Sequence, residues 1–156
     1  MITNEYGIHT FSLKLQCKYS EIQNIIEQNE CIRTSKGKLG LSPYYQMPQF
    51  KDIGVEIQLG QSVSHPCWLI LIVNPSSLLA GTYEPTALFQ ADEESVQQVK
   101  YRLRNILDKI GVDRRLKEFK LSRCDLTCNL YYERKADIQD RLDIFKKSFS
   151  IPHYSA

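Results

Sequence analysis

The chain has 156 residues, of which 42% are hydrophobic and 24% charged, as in an ordinary soluble globular domain. This composition excludes a disordered, fibrous or low-complexity protein. No apolar run approaches the roughly 18 residues of a membrane span, and no secretory signal begins the chain, so we expect no membrane partner. The five cysteines are scattered without a C-x-x-C pair, which favours a reduced, cytoplasmic setting.

The net charge of +2 is unevenly distributed along the chain. Between Lys100 and Lys120 there are eight basic and three acidic residues, and between Cys31 and Lys51 four basic residues and no acidic one. A polyanionic partner is one interpretation of these clusters. A solvated surface is the other, and composition does not separate the two.

The hydrophobic pattern of the first half predicts a strand, a helix and a further strand. Residues Ile8–Leu15 alternate between apolar and polar side chains, which is typical of a half-buried strand. Ser20 is the predicted N-cap of the helix that follows. Residues 33–45 carry glycine, proline and hydroxyl groups and predict a loop or a loosely formed hairpin, with extra strands near residues 31–48.

The middle of the chain predicts two strands and a second helix. Residues Ile53–Leu59 alternate again, whereas Cys67–Val73 is apolar on both faces, as expected of a central strand covered on both sides. Between Val96 and Ile110 the apolar residues recur at helical spacing.

The clearest strand covers Phe119–Tyr131, and a last helix is predicted over about Asp137–Phe149. The alternation of that strand predicts a buried face that contains Cys124 and Cys128. The element order predicts one α+β domain over residues 1–156, a ferredoxin-like antiparallel sheet with helices packed on one face. This fold hosts many activities and does not identify one.

The polar face of the last strand is the first candidate site. Arg123, Asp125, Thr127 and Asn129 alternate along it. Carboxylate oxygens suit Mg²⁺ or Mn²⁺, while arginine binds phosphate oxygens, so Asp125 is a candidate metal ligand and Arg123 its partner. Glu56, on the polar face of another predicted strand, is the candidate second ligand. The alternative is an ordinary Arg–Asp salt bridge on a solvated strand.

A basic and aromatic surface is the second candidate site, because cations neutralise phosphates and aromatic rings stack on unpaired bases. Its predicted nucleic-acid-binding residues are Arg33, Lys36, Lys38, Tyr44, Tyr45, Lys100, Arg102, Arg104, Arg114, Arg115 and Lys117. Ordinary surface roles are the alternative. The histidines and cysteines lack zinc spacing, and neither a phosphate-binding glycine loop nor a serine nucleophile elbow is present.

Two stretches together resemble the replication initiators of filamentous phages and related plasmids. Residues Trp68–Gly81 resemble a strand followed by Asn-Pro-x-x-Leu-Leu-x-Gly, and Leu121–Leu130 resembles the Ser-Arg-x-Asp-Leu strand of those proteins. The resemblance implies the N-terminal part of a rolling-circle initiator. Such a protein nicks one origin strand through a tyrosine with a divalent metal and later rejoins the ends.

By matching position, the resemblance implies that Asp125 lies in the strand that borders the active site and that Arg123 orients it or contacts phosphate. The His-hydrophobic-His metal motif common in such nickases is absent from this chain. The leading hypothesis is therefore binding of origin or single-stranded DNA in replication initiation, with metal-dependent nicking as an added activity. The alternatives are a non-catalytic nucleic-acid-binding or protein-interaction module, such as a phage-encoded regulator, and a metabolic ligand-binding domain.

Overall fold

The structure, a computed structural model, describes residues 3–34, 44–63 and 65–131. Its strands are β1 (Thr3–Cys17), β2 (Ile32–Arg33), β3 (Tyr44–Met47), β4 (Val55–Gly60), β5 (Cys67–Val73) and β6 (Lys120–Tyr131). Its α-helices are α1 (Tyr19–Gln28), α2 (Pro75–Ala80) and α3 (Glu93–Lys109), and short 3₁₀ helices cover Pro48–Ile53 and Leu116–Glu118. The helix predicted over 137–149 lies outside the described residues.

The six strands form one antiparallel sheet in the order β2-β3-β4-β5-β1-β6. The elements β1, α1, β4, β5, α3 and β6 follow one another as βαββαβ, and their four strands lie in the order β4-β5-β1-β6. That combination is the ferredoxin-like arrangement, so the predicted α+β fold is confirmed. The short strands β2 and β3 pair with each other and extend the sheet beyond β4, which confirms the extra strands near residues 31–48.

The backbone forms two compact units. The larger covers residues 7–127 and contains every helix of the described residues. The smaller contains residues 1–6 and 128–156, and within it the Asn129 side-chain amide donates a hydrogen bond to the Glu5 carboxylate.

The core of the larger unit lies between the helices and one face of the sheet. Alternate residues of β4 and β5, such as Ile57 and its cross-strand partner Leu71, are fully buried. The apolar faces of α1 and α3 join the same cluster through residues such as Ile22 and Leu107. Each side chain buried in this way contributes about 1.5–3 kcal/mol, which decides that both helices turn their apolar faces to the sheet.

The opposite face of the sheet is half-exposed apart from the buried Ser12, and no helix of the described residues packs on it. We call it the open face; its members on the three neighbouring strands β1, β5 and β4 are Ser12, Lys14, Gln16, Trp68, Ile70, Ile72, Glu56, Gln58 and Gly60. Strand β5 is central, as predicted. The prediction that it is covered on both sides is wrong for the described structure, because only its alternate residues from Cys67 to Val73 are deeply buried.

Helix α1 begins earlier than predicted, since its N-cap lies two residues before the predicted cap at Ser20. Its N-cap is Lys18, whose backbone N–H donates to the Glu21 carboxylate over 2.7 Å. The other carboxylate oxygen of Glu21 accepts a 2.6 Å bond from Arg114, which ties α1 to the segment before β6. The Lys18 N–H and then Arg114 hold the pKa of Glu21 below its ordinary value.

Replacement of Glu21 with glutamine is expected to lower the free energy of unfolding by about 1 kcal/mol at neutral pH, because the cap loses its ionised acceptor. A depressed folded pKa stabilises the protein above the ordinary value of 4.5, and this contribution is lost as the pH falls through the folded pKa. Urea unfolding at a series of pH values should therefore show the two proteins converging in acid. The exposed Glu30→Gln variant is the control. A wild-type advantage undiminished in acid would contradict this account.

Candidate nucleic-acid interface

The Arg123–Asp125 pair lies on β6, an edge strand of the sheet. Arg123 Nε donates to Asp125 Oδ1 over 2.7 Å, and the Thr10 hydroxyl donates to Oδ2 over 2.5 Å. Both side chains are accessible, with 71% of Arg123 and 31% of Asp125 exposed. The two hydrogen bonds, from Thr10 first and then Arg123, hold the pKa of Asp125 below its ordinary value, so the carboxylate is ionised at neutral pH.

Glu56 is not brought to Asp125. It lies on β4, and strands β5 and β1 separate it from β6. Three strand spacings amount to about 14 Å, whereas ligands of one divalent cation lie within roughly 2.6 Å of it. The Glu56 carboxylate instead accepts hydrogen bonds from the side-chain amides of Gln46 and Gln58. The geometry therefore does not support a metal ion shared by Glu56 and Asp125.

No cluster of three or more metal-ligating side chains occurs among the residues that the structure describes. Metal binding at Asp125 alone stays a prediction. An ion there would compete with the Thr10 and Arg123 hydrogen bonds that already occupy both carboxylate oxygens.

Three of the predicted nucleic-acid-binding arginines already have structural partners. Arg102 donates to the Leu78 carbonyl over 2.8 Å, and Arg104 pairs with Asp108. Arg114 lies between two carboxylates, those of Glu21 and Glu118, which neutralise its charge. The sequence clusters these cations because α3 must expose its charged side when it buries its apolar side, and that clustering alone does not make a binding surface.

The residues predicted near the other end of the sheet do not share one face. Arg33 lies on β2, at the edge opposite to β6, and is paired with Tyr45, which packs against the core. Tyr44 is half-exposed and points to the opposite side, since neighbouring residues of a strand alternate. Lys36 and Lys38 lie outside the described residues.

Two predicted cations, Lys100 and Lys117, border an apolar cavity of about 550 Å³ between β1 and α3. The cavity wall includes Phe11 and Leu13 of β1 and Val99 and Leu103 of α3. Both lysines are exposed, and neither has a carboxylate partner among the described residues. Arg115, the remaining predicted cation, is also exposed.

A second cavity, of about 200 Å³, lies beside the same stretch of β1 and contains residues that the sequence did not single out. Lys14, Gln16 and Trp68 line it together with Lys120 at the start of β6. Lys14 and Lys120 also lack a carboxylate partner in the described part of the chain. We call Lys14, Lys100, Lys117 and Lys120, which border these two cavities, the cationic rim. Lys14 belongs to the open face, whereas Lys100 lies on α3, which packs on the opposite side of the sheet. The sequence alone could have indicated Lys14 as a candidate binding residue, because it is the one cation in the alternating pattern of β1.

The predicted burial of Cys124 and Cys128 is wrong: both thiols are exposed, and Leu126 between them is 80% exposed. Strand β6 is an edge strand, and among the described residues of its middle part neither face is deeply buried. The buried cysteine is Cys67, whereas Cys17 is half-buried. Burial raises the pKa of Cys17 to about 11, and the charge of Glu21 is the second cause.

Alkylation by iodoacetamide should distinguish these thiols. Cys124 and Cys128 are expected to react first because both are exposed, whereas Cys17, whose pKa is raised from the ordinary 9.0 to about 11, should react at least about 100-fold more slowly. Peptide mass spectrometry at several times measures each rate. All five thiols should react at similar rates in urea, and native protection of Cys124 would contradict the exposed position of β6.

Comparisons with known proteins give no assignment: no family model, curated protein or solved structure matches the chain. Among the described residues, no helix has both the length and the apolar character that a membrane span requires.

Proposed function

We propose that this protein binds single-stranded DNA, as a factor in replication initiation. The observation that carries the proposal is the cationic rim, three exposed lysines and the half-buried Lys14, all without carboxylate partners in the described chain, around the start of the edge strand β6. Ammonium groups in such a position gain free energy by releasing the counterions of a phosphate backbone. The role in replication rests on the resemblance of the Asn74–Gly81 and Ser122–Leu126 motifs.

Single strands fit the site better than a duplex. No α-helix of the described residues presents a row of unpaired cations that could enter a major groove, since Arg102, Arg104 and Asp108 of α3 are engaged with one another or with the backbone. The open face of the sheet instead presents an indole ring, that of Trp68, beside two lysines, and aromatic rings beside cations suit unpaired bases.

Fluorescence anisotropy with a labelled single strand of about 20 nucleotides and with its duplex tests this proposal at low salt, about 50 mM. The single strand is expected to bind more tightly than the duplex. Equal binding of both would remove the preference for single strands. Absence of binding to either would contradict the proposed function.

Metal-dependent nicking is a second candidate function, favoured by the accessible and ionised carboxylate of Asp125. Incubation with a supercoiled origin plasmid and Mn²⁺ should then give open circles, and Asp125→Asn should abolish them while leaving strand binding intact. Thr10→Val keeps the Asp125 carboxylate but removes one hydrogen bond that holds it. This variant therefore distinguishes the effect of the charge of Asp125 from the effect of its orientation. Binding without nicking would leave the non-catalytic DNA-binding module as the function.

A further inference from the structure

Trp68 and Lys14 form a contact on the open face, in which a charged ammonium group covers an aromatic ring. The Lys14 ammonium nitrogen lies 3.8 Å from the centroid of the indole ring. Trp68 is paired with Gln16 across the β1–β5 ladder, and Lys14 follows on the same face of β1. The ring is half-exposed, and so is the Lys14 side chain that covers it.

The proposed function supplies a ligand for this ring, and we propose that Trp68 is a base-stacking position for single-stranded DNA. An arriving base displaces the Lys14 ammonium from the ring, and the ammonium then contacts a phosphate of the same strand. A cation–π contact at an exposed site contributes a factor of about 2 to 5 to an equilibrium, whereas a base stacked on an aromatic ring contributes about 5 to 150. The exchange therefore favours the base.

The charges around the ring fit the phosphates of such a strand. Beside Trp68, Arg114 is paired with two carboxylates, those of Glu21 and Glu118, so this cluster together with Lys14 and Lys120 has one net positive charge. The cavity volume of about 200 Å³ is below the roughly 300–1,000 Å³ of small-molecule sites. A shallow cationic recess beside an exposed ring suits one nucleotide of a longer chain better than a separate small ligand.

Trp68 is the only tryptophan of the chain, so its intrinsic fluorescence reports directly on the ring. An oligothymidylate of about 12 nucleotides should quench this fluorescence as it binds. Heparin offers anionic groups without bases and is expected to bind the lysines with little quenching. Equal quenching by heparin would overturn the inference, because displacement of Lys14 alone would then explain the signal.

Two substitutions complete the test, with binding measured independently by anisotropy of a labelled oligothymidylate. Trp68→Leu should weaken binding about 5- to 150-fold, whereas Trp68→Phe, which keeps a ring, should stay much closer to wild type. Lys14→Met should lower the salt dependence by about 0.7 and preserve quenching. The control Lys109→Met removes a charge at the end of α3 and should change neither.

The outcomes separate this inference from the proposed function. Tight binding with unchanged tryptophan emission, and with Trp68→Leu equal to wild type, would overturn the stacking position and leave strand binding intact. Absence of any binding by wild-type protein would overturn both. Because the wild-type titration uses the native chain, the test does not depend on the folding of a variant.

Discussion

Replacement of Gly54 with alanine is expected to destabilise the protein by about 3 kcal/mol, from a left-handed backbone and a steric overlap together. Gly54 follows the Pro48–Ile53 helix with a φ of 79°, a conformation that costs an L-residue about 1–2 kcal/mol. A methyl group there would overlap the Ser77 side chain and approach the Asn74 carbonyl oxygen to 3.0 Å. The Gly54 carbonyl also accepts the Asn74 N–H, so the chain cannot relax without losing that bond.

Two other glycines are matched controls for this prediction. Gly81 shares the positive φ, 74°, but its methyl group would meet nothing closer than 4.0 Å, so Gly81→Ala should cost about 1 kcal/mol. Gly60 has neither the positive φ nor a close neighbour, and Gly60→Ala should stay within about 1 kcal/mol of wild type. Urea unfolding of the three variants should give that order. A Gly54 variant no less stable than the Gly81 variant would contradict the overlap.

Removal of two rim charges, Lys117→Gln with Lys120→Gln, is expected to weaken binding of oligothymidylate about 25-fold at 0.1 M salt. Each phosphate contact on a single strand contributes about 0.7 to the slope of log affinity against log salt, which corresponds to about fivefold at 0.1 M. The slope should therefore become shallower by about 1.4. Fluorescence anisotropy over a salt series measures both quantities.

The double variant Lys51→Gln with Lys109→Gln is the control, since it removes the same net charge away from the rim. Lys51 lies in the last turn of the Pro48–Ile53 helix, and Lys109 lies in the last turn of α3. Both are exposed and have no carboxylate partner among the described residues. Their loss should change affinity by less than about twofold. If both double variants lost the same affinity, binding would follow net charge, and the rim would not be the interface.

The longer strands and the helices α1 and α3 could be predicted because their periodicity is set by burial of one face, whereas the short helix α2 was not predicted. Burial of one face produces the alternation of Val55, Ile57 and Leu59. It also produces the helical spacing of Val99 and Leu103. The face of β6 could not be predicted in the same way. Cys124 and Leu126 are apolar enough for a core, but the neighbours of an edge strand decide its exposure, and these come from distant parts of the sequence.

The site was harder to predict than the fold because a cluster of charged residues in the sequence often marks only the solvent-exposed side of a helix. Arg104 and Arg114 look like binding residues in the sequence, yet carboxylates on the same or a neighbouring element neutralise them. Lys14 and Lys120 meet beside Trp68 only because β5, β1 and β6 are neighbours in the sheet. No local pattern contains that adjacency.

The motif behind the family resemblance has a structural explanation of its own. Asn74 caps α2 by accepting the Ser77 N–H, and Pro75 occupies the first turn, where its missing N–H costs nothing. Leu78 is buried, and Gly81 ends the helix in the left-handed conformation. These residues would be needed in any chain with this short capped helix, so the motif supports a replication role only together with Arg123 and Asp125.

The salt dependence of single-strand binding by the wild-type protein is the most direct test of the cationic rim. With four lysines in contact with phosphates, log affinity for oligothymidylate should fall linearly with log salt, with a slope of about −2.8. A slope near zero, or no binding at about 50 mM salt, would contradict the assignment of this surface to DNA.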